Sequence, residues 1–397
     1  MKRTLTMSCS GGSADEAGRL IIVCDWLPPE FGAVGQYMLQ RAERAAAAGV
    51  DVTLIGLGRD DSLPTDQAVG AGRLRILRLR AGITPKQSLA RRAVWALGVN
   101  LRLLAAVARA QRGAGPVDIL VTGSPPFLSQ MLVLANFVWR RPLTYRITDF
   151  YPETALASGR AGVLRPLLPI FQWLRRRVPR IEIIGEDQGR RLAASGVPAE
   201  RLHLARDASP VVFSPETPPA ARPFGADEVV LLYSGNLGVA HELETFCEGY
   251  RRHVRDGANR VRLWVNGSGV RLAELKAFCA RHDLPLHVTG PAPLDALAGV
   301  LRAADAHLVL LGAAYWGFVL PSKIYACLES ERPVLYVGPP ESDVALLLRE
   351  RPGPGHAQVA PGDPDACFHA LETLAGRLGR GTGAETLGPL ARTGTDL

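Results

Sequence analysis

The chain has 397 residues, too long for one ordinary core and long enough for two domains, which excludes a lone small binding module. Apolar residues at 47% and charged residues at 21% are the proportions of a folded globular protein and exclude wholesale disorder. The net charge of +8 admits nucleic acid or an anionic membrane as a partner. However, Lys2, Lys86, Lys276 and Lys323 are the only lysines among 46 basic residues, and such arginine bias also fits a GC-rich genome.

Residues 1–18 are polar and small, with no apolar core of a signal peptide, and no stretch reaches the about 18 uninterrupted apolar residues of a membrane span. A flexible N-terminal segment and a cytoplasmic location are expected. Residues 19–25 (RLIIVCD) read as a buried strand, followed by a turn-rich loop holding Gly32 and Gly35 and a helix over 36–48. Gly49 stops that helix and residues 50–58 form the next strand, so a βαβ unit closes within about forty residues, as a parallel sheet requires. Strands are predicted at 74–79, 118–123, 143–149 and 181–185, with helices over 87–112, 127–138 and 161–178. Residues 19–213 are thus one doubly wound α/β domain.

The proline-rich segment 214–227 has no periodicity and reads as a linker. Beyond it the βα alternation restarts: strands at 228–235, 260–269, 284–290, 306–311 and 333–338, with helices from His241, over 270–282, over 293–303 and from Pro321. Residues 228–378 form a second domain of the same class, and 379–397 a weakly patterned tail. Six scattered cysteines without a C-x-x-C pair indicate neither a zinc site nor a disulfide framework, so no metal is expected.

In doubly wound sheets ligands bind at the carboxyl ends of strands, so a motif matters when it follows one. Four do. Gly32 and Gly35 precede a helix start, where a phosphate or sugar can approach the backbone, although a strand-to-helix turn needs glycine anyway. Ser234-Gly235-Asn236-Leu237-Gly238 opens the second domain's first βα turn, with His241 beyond it; the G-x-G-x-x-G spacing is not met, which disfavours a dinucleotide site. Gly267 and Gly269 close another strand, as a nucleotide-flanking turn or a plain one. Leu320-Pro321-Ser322-Lys323 reads as a helix start with a cation in its first turn, a placement that opposes the helix dipole unless an anion lies between. In the first domain, Asp149 and Glu153 follow a strand, where a carboxylate acts as a general base, binds hydroxyls or caps a turn.

Taken together, over roughly residues 20–375, these segments resemble retaining glycosyltransferases of family 4, of the GT-B fold. The resemblance is carried by WLPPEFGAVGQYMLQRAERAAAAGVDVTLIG, DILVTGSPPF, RITDFYPE, LLYSGNLGVAHELETF, LWVNGSGVRLAELKAF and VLPSKIYACLESERPVLYVG, in that order and spacing. It implies two Rossmann-like domains facing across a cleft. It also implies transfer of a sugar, with retention and without a metal or cofactor, from a nucleoside diphosphate sugar, UDP before GDP, to a hydroxyl of a small or lipid-linked acceptor. The nearest patterns are those of bacterial enzymes that build surface polysaccharides and decorated metabolites. By position, the Gly32 and Gly35 loop faces the diphosphate and acceptor, Asn236 and His241 take the place of cations on the phosphates, Lys323 lies beside the diphosphate, and Gly267 and Gly269 flank the base. The family's paired glutamates fall at Phe318 and Ala326, leaving Glu329 as a weak substitute.

Two other readings stand beside this one: a nucleotide-sugar-binding protein with impaired catalysis, suggested by the missing glutamates, and a UDP-sugar epimerase of the same fold. Nucleic acid is not an expected partner, since no recognition motif accompanies the charge. Residues 161–178 mix apolar side chains with Arg165, Arg175, Arg176 and Arg177, either a helix docking peripherally on the inner membrane face or a buried helix with a solvated basic end.

Overall fold

The computed structural model describes residues 18–30, 33–59, 64–82, 89–113, 115–159, 162–353 and 355–378. They form two compact units. The first comprises the described residues up to Pro210 together with Ala314–Ser322 and Glu341–Val344; the second comprises Val211–Ala313, Lys323–Pro340 and the described residues from Ala345.

The first unit runs β1 (Arg19–Trp26), α1 (Ala33–Ala47), β2 (Asp51–Gly58), β3 (Thr65–Val69), β4 (Gly72–Arg80), α2 (Leu89–Ala110), β5 (Val117–Thr122), α3 (Leu128–Trp139) and β6 (Leu143–Ile147). It continues with α4 (Glu153–Ala157), α5 (Leu168–Arg177), β7 (Arg180–Ile183), α6 (Glu186–Ala194) and β8 (Leu202–Leu204). The sheet order is β3-β4-β2-β1-β5-β6-β7-β8, parallel except for β3. Period-two burial puts Ile21 and Val23 of β1 on one face, under α2, α3 and α5, and Ile22 and Cys24 on the other, under α1. The helices after the neighbouring strands β1 and β5 therefore leave to opposite faces.

The second unit runs β9 (Val229–Asn236), α7 (Glu244–Asp256), β10 (Val261–Ser268), α8 (Leu272–Arg281), β11 (Leu286–Thr289), α9 (Leu294–Ala303) and β12 (Ala306–Leu310). It ends with α10 (Lys323–Glu329), β13 (Val334–Val337), α11 (Asp343–Glu350), β14 (Ala357–Val359) and α12 (Pro364–Leu378). Its strand order is β11-β10-β9-β12-β13-β14, all parallel. Here α7 packs on one face through Phe246 and Tyr250 and α10 on the other through Ala326, so β9 and β12 repeat the change of side.

Four differences from the sequence reading have physical causes. The chain crosses between units at Pro210, and the expected linker 214–227 is packed: Ala220 and Phe224 lie against the core shared by β9 and α9, and Arg222 pairs with Asp305 at 2.8 Å. Ala314–Ser322, expected within the second domain, belongs to the first unit because Phe318 packs on Phe150 and the Arg191 guanidinium stacks on the rings of Trp316 and Phe318. The 161–178 segment is not one helix: Pro166 lies in a 3-10 stretch, Gly162–Leu167, that precedes α5. Finally, Ala93–Ala110 of α2 has the length and composition of a membrane span, yet Val99, Leu103, Ala106 and Val107 lie in the core, so it is a core helix with an apolar outer side.

The first sheet is tied by a buried charge network. The Glu182 carboxylate accepts from Arg41 at 2.5 Å and Arg146 at 3.2 Å, and Arg146 also reaches Asp207 at 2.5 Å. Burial pushes the Glu182 carboxyl up, but the two guanidiniums outweigh it and hold it below its ordinary value. Glu182→Gln should therefore cost about 3 kcal/mol or more in urea unfolding at pH 7. The gap to wild type should close as pH falls below the unfolded glutamate's pKa of about 4.3 and through the lowered folded value. A gap independent of pH would contradict the ion-pair assignment.

Candidate functional site

In a doubly wound sheet the change of side leaves the carboxyl ends of the two central strands uncovered. In the first unit these are the ends of β1 and β5, where a cavity of about 220 Å³ is lined by Asp25, Trp26, Trp95, Ala96, Ser124, Pro125 and Pro126. Two indoles form an apolar wall, Trp26 and Trp95 lying near parallel with centroids 6.5 Å apart. Asp25 is the charged group of that cavity. Ser124 and the Trp26 backbone hydrogen-bond to its carboxylate, yet Oδ1 is buried without a partner. Burial raises its pKa to about 6 against those hydrogen bonds.

Asp149 follows β6 and is held by its backbone: it bridges Val319 in antiparallel fashion, and the Phe150 N–H donates to the Phe318 carbonyl at 3.1 Å. Its side chain reaches solvent, but surrounding protein and then the Asp25 charge lift its pKa to about 6 as well. The expected base thus belongs to a pair of carboxylates. Asp25, absent from the sequence reading, had a visible signal: it is an acid at the carboxyl end of the first strand.

The other first-unit residues have mostly structural work. Gly32 lies outside the described residues. Gly35 is inside the first turn of α1, not before it, and a Cβ there would lie 1.9 Å from the Trp26 carbonyl oxygen, so glycine is what lets α1 rest on the end of β1. Glu153 is engaged by Arg175 through both oxygens, at 2.5 and 2.7 Å, which ties α4 to α5 and leaves it no free carboxylate for a ligand. Leu320 and Pro321 are buried, and Ser322 is half-buried before α10.

In the second unit the uncovered ends are those of β9 and β12. Gly235, at φ +126°, presents its open side to Lys323, whose Cε and Nζ would both be 3.6 Å from a Cβ there. The Lys323 ammonium sits 3.2 Å from the Tyr233 ring centroid and is shielded from solvent, with no hydrogen-bond partner. The ring's electron-rich face attracts the cation, but desolvation wins and lowers its pKa to about 7. Pro321 and Ser322 do precede a helix, but α10 has seven residues, so the lysine's setting owes more to Tyr233 than to a helix dipole.

His241 precedes α7 in a turn, and its Nδ1 accepts from the Gly238 N–H at 3.0 Å. Burial and then the Lys323 charge lower its pKa to about 3, which corrects the expectation of a protonated phosphate partner: near neutral pH it is an uncharged loop brace. Asn236 is exposed at the end of β9. Gly267 and Gly269 are required by the chain itself, since Cβ atoms there would lie 1.9 Å from the Gly235 oxygen and 2.3 Å from the Leu237 oxygen. Phe318 is packed among aromatics, Ala326 is buried, and Glu329 is exposed at the end of α10. Among the described residues no group of three or more His, Cys, Asp or Glu is placed to hold a metal ion.

No protein-family model matches the chain, and no curated protein matches it. Solved structures do. A trehalose-6-phosphate synthase from Burkholderia multivorans superposes with a TM-score of 0.61 at 12% identity, covering 90% of this chain and 88% of its own. Anabaena HepE, in complex with UDP and glucose, gives 0.59 at 12%, covering 91% and 92%. The N-terminal domain of Candida albicans trehalose-6-phosphate phosphatase gives 0.64 at 12%, covering 92% and 90%. The fold is GT-B.

Lys323 leaves a signature in stability. Between its folded pKa of about 7 and its unfolded value near 10.4, the unfolded chain keeps a proton that the folded chain sheds, so stability rises with pH across that window. Lys323→Met should raise Tm at pH 7 and flatten the rise; calorimetry from pH 7 to 9.5 is the measurement. A lower Tm at pH 7 would mean that the cation is paired.

Proposed function

We propose that the protein is a glycosyltransferase that moves a sugar with retention from a nucleoside diphosphate sugar, UDP before GDP, to an acceptor hydroxyl. The observation that carries the reading is the unpartnered Lys323 ammonium beside Gly235 at the strand ends of the second unit: a buried cation without a counter-ion is what a diphosphate completes. UDP is favoured because the E. coli trehalose-6-phosphate structure holds UDP-2-fluoro glucose and the Anabaena one holds UDP and glucose. The GT4-like assignment, the independence of metal and cofactor and a role in surface polysaccharide or secondary-metabolite synthesis come from the sequence resemblance, and the cytoplasmic location from the hydropathy of the sequence.

In this reading charge grows on the diphosphate as the glycosidic bond breaks, and the Lys323 ammonium stabilises it. Asp149 takes or positions the acceptor hydroxyl's proton, and Asp25, Ser124 and the two indoles hold the acceptor at the end of β1. The acceptor is a small molecule or a lipid-linked one, and residues 161–178, with Val163, Leu167, Ile170 and Trp173 exposed, supply the membrane contact. Carboxylates with pKa near 6 are ionised at pH 7.5 yet basic enough to receive a proton.

Two measurements test this. UDP should raise Tm, by roughly 2.7 kcal/mol of stabilisation at 100 times its dissociation constant. Calorimetry at pH 8 in buffers of different ionisation heat should show net proton uptake as the diphosphate restores the charge of Lys323, and no uptake in Lys323→Met. Absence of a shift with any nucleoside diphosphate would sink the donor assignment. On the acceptor side, turnover should fall below an apparent pKa of about 6 that belongs to the Asp25–Asp149 pair. Asp149→Asn should cut turnover about a hundredfold with donor affinity kept, and Asp25→Asn should move the pH limb lower by removing the like charge. A limb unmoved by either change would relegate both carboxylates to structure. Binding of a nucleotide sugar without release of nucleotide would favour the impaired, binding-only reading.

A further inference from the structure

Ten of the fifteen large apolar side chains that are exposed among the described residues lie on three neighbouring elements of the first unit. On α2 they are Val94, Leu97 and Leu101, spaced three and four apart along the side opposite buried Ala96, Val99 and Leu103. On α3 they are Leu134, Phe137 and Val138, and on the 3-10 stretch with α5 they are Val163, Leu167, Ile170 and Trp173. Val94, Val138 and Val163 are 72%, 82% and 77% exposed, so these are whole side chains in water and not edges of the core. The elements adjoin, α3 touching both α2 and α5, and the rings of Phe137 and Trp173 lie 6.0 Å apart. The remaining five exposed residues, Leu204, Val212, Val239, Val270 and Leu294, are scattered singly, the ordinary condition of a protein surface.

The charge around this layer has one sign. From residue 67 to 148 Asp118 is the only acid, and from 154 to 181 there is none. Arg91, Arg102, Arg140, Arg165 and Arg177 are exposed on or beside the same three elements, and the Arg177 guanidinium lies over the Trp173 ring at 4.9 Å. An apolar face set among arginines without carboxylates matches acyl chains bounded by anionic headgroups. It suits a second copy of this chain poorly, since two such faces would bring like charges together. Nucleic acid is no better served, because the exposed groups are chiefly aliphatic and offer few rings for bases to stack on.

We propose that the outer side of α2, α3 and α5, with the 3-10 stretch before it, is a docking surface for an anionic lipid bilayer on which the first unit lies peripherally. Val94, Leu97, Leu134, Val138, Val163 and Ile170 enter the boundary between headgroups and acyl chains, Trp173 sits at headgroup depth, and the arginines bind lipid phosphates. This surface is wider than residues 161–178, because α2 and α3 supply six of its ten apolar side chains. It extends the membrane contact named in the proposed function from α5 to α2 and α3, and it rests on exposure and charge alone, so loss of the glycosyl-transfer assignment leaves it in place.

The test is flotation of the full chain with vesicles of phosphatidylcholine alone and of phosphatidylcholine with phosphatidylglycerol. The expected result is binding to the anionic vesicles, at least tenfold stronger than to neutral ones and weakened by salt. A Val94→Ser, Leu134→Ser, Val138→Ser, Ile170→Ser variant should bind at least tenfold less, with Tm and UDP-induced stabilisation unchanged because the four side chains are exposed. Arg165→Glu with Arg177→Glu should remove the preference for anionic lipid. If the apolar variant unfolds, the arginine pair carries the test alone. Failure to bind anionic vesicles at low salt, equal binding by the variants, or a concentration-dependent dimer abolished by the apolar variant in a chain that does not float would each overturn the proposal.

Discussion

Each sheet contains one place where neighbouring parallel strands send their helices to opposite faces, between β1 and β5 in the first unit and between β9 and β12 in the second. Elsewhere a parallel strand is covered on both faces and its end is closed by the turn into the next helix. At the change of side, no helix can close both ends. Polar side chains and close-passing backbone gather in those gaps, Asp25 and Ser124 in one and Gly235 and Lys323 in the other. The glycines follow from the same constraint, since Gly35, Gly267 and Gly269 sit where the chain passes so close to itself that a Cβ would strike a carbonyl.

The two gaps hold charge of opposite sign, and in each the charge is under-compensated. Burial raises Asp25 and lowers Lys323, so each unit folds at some cost around a group that would be easier to satisfy in water. A functional site accepts such a cost because the ligand supplies the missing partner. The fold offsets it below the gap, where Glu182 binds β7 to α1 through Arg41 and meets Arg146 of β6, and where Glu153 and Arg175 bind α4 to α5. These charges are paired with one another and serve the scaffold.

Arginine therefore has two separate uses here. Arg41, Arg146 and Arg175 are engaged by carboxylates within the first unit, while those exposed on α2, beside α3 and on α5 have no acid near them in sequence. A net charge of +8 averages over both groups and describes neither. The outer side of the helical layer is apolar and basic at once, a combination that only burial, residue by residue, separates from an ordinary core helix.

The sequence by itself determined the alternation of strands and helices, the doubly wound class, the turn glycines, and the positions of Asp149 and Lys323 at the ends of secondary-structure elements, because all of these are written in periodicity and in residues adjacent along the chain. It did not contain β3, whose polar, exposed TDQAV lacks a buried-strand pattern, nor the packing of the proline-rich 214–227 against α9. Tertiary structure alone decided that Ala314–Ser322 joins the first unit and that Asp25 meets Ser124, ninety-nine positions away. It alone decided that His241 is uncharged beside Lys323, and that one side of α2 is left in water. The reason is common to all of them. A residue's type and period are local, but its burial, its pKa and its partner are set by whichever distant strands and helices come to lie against it.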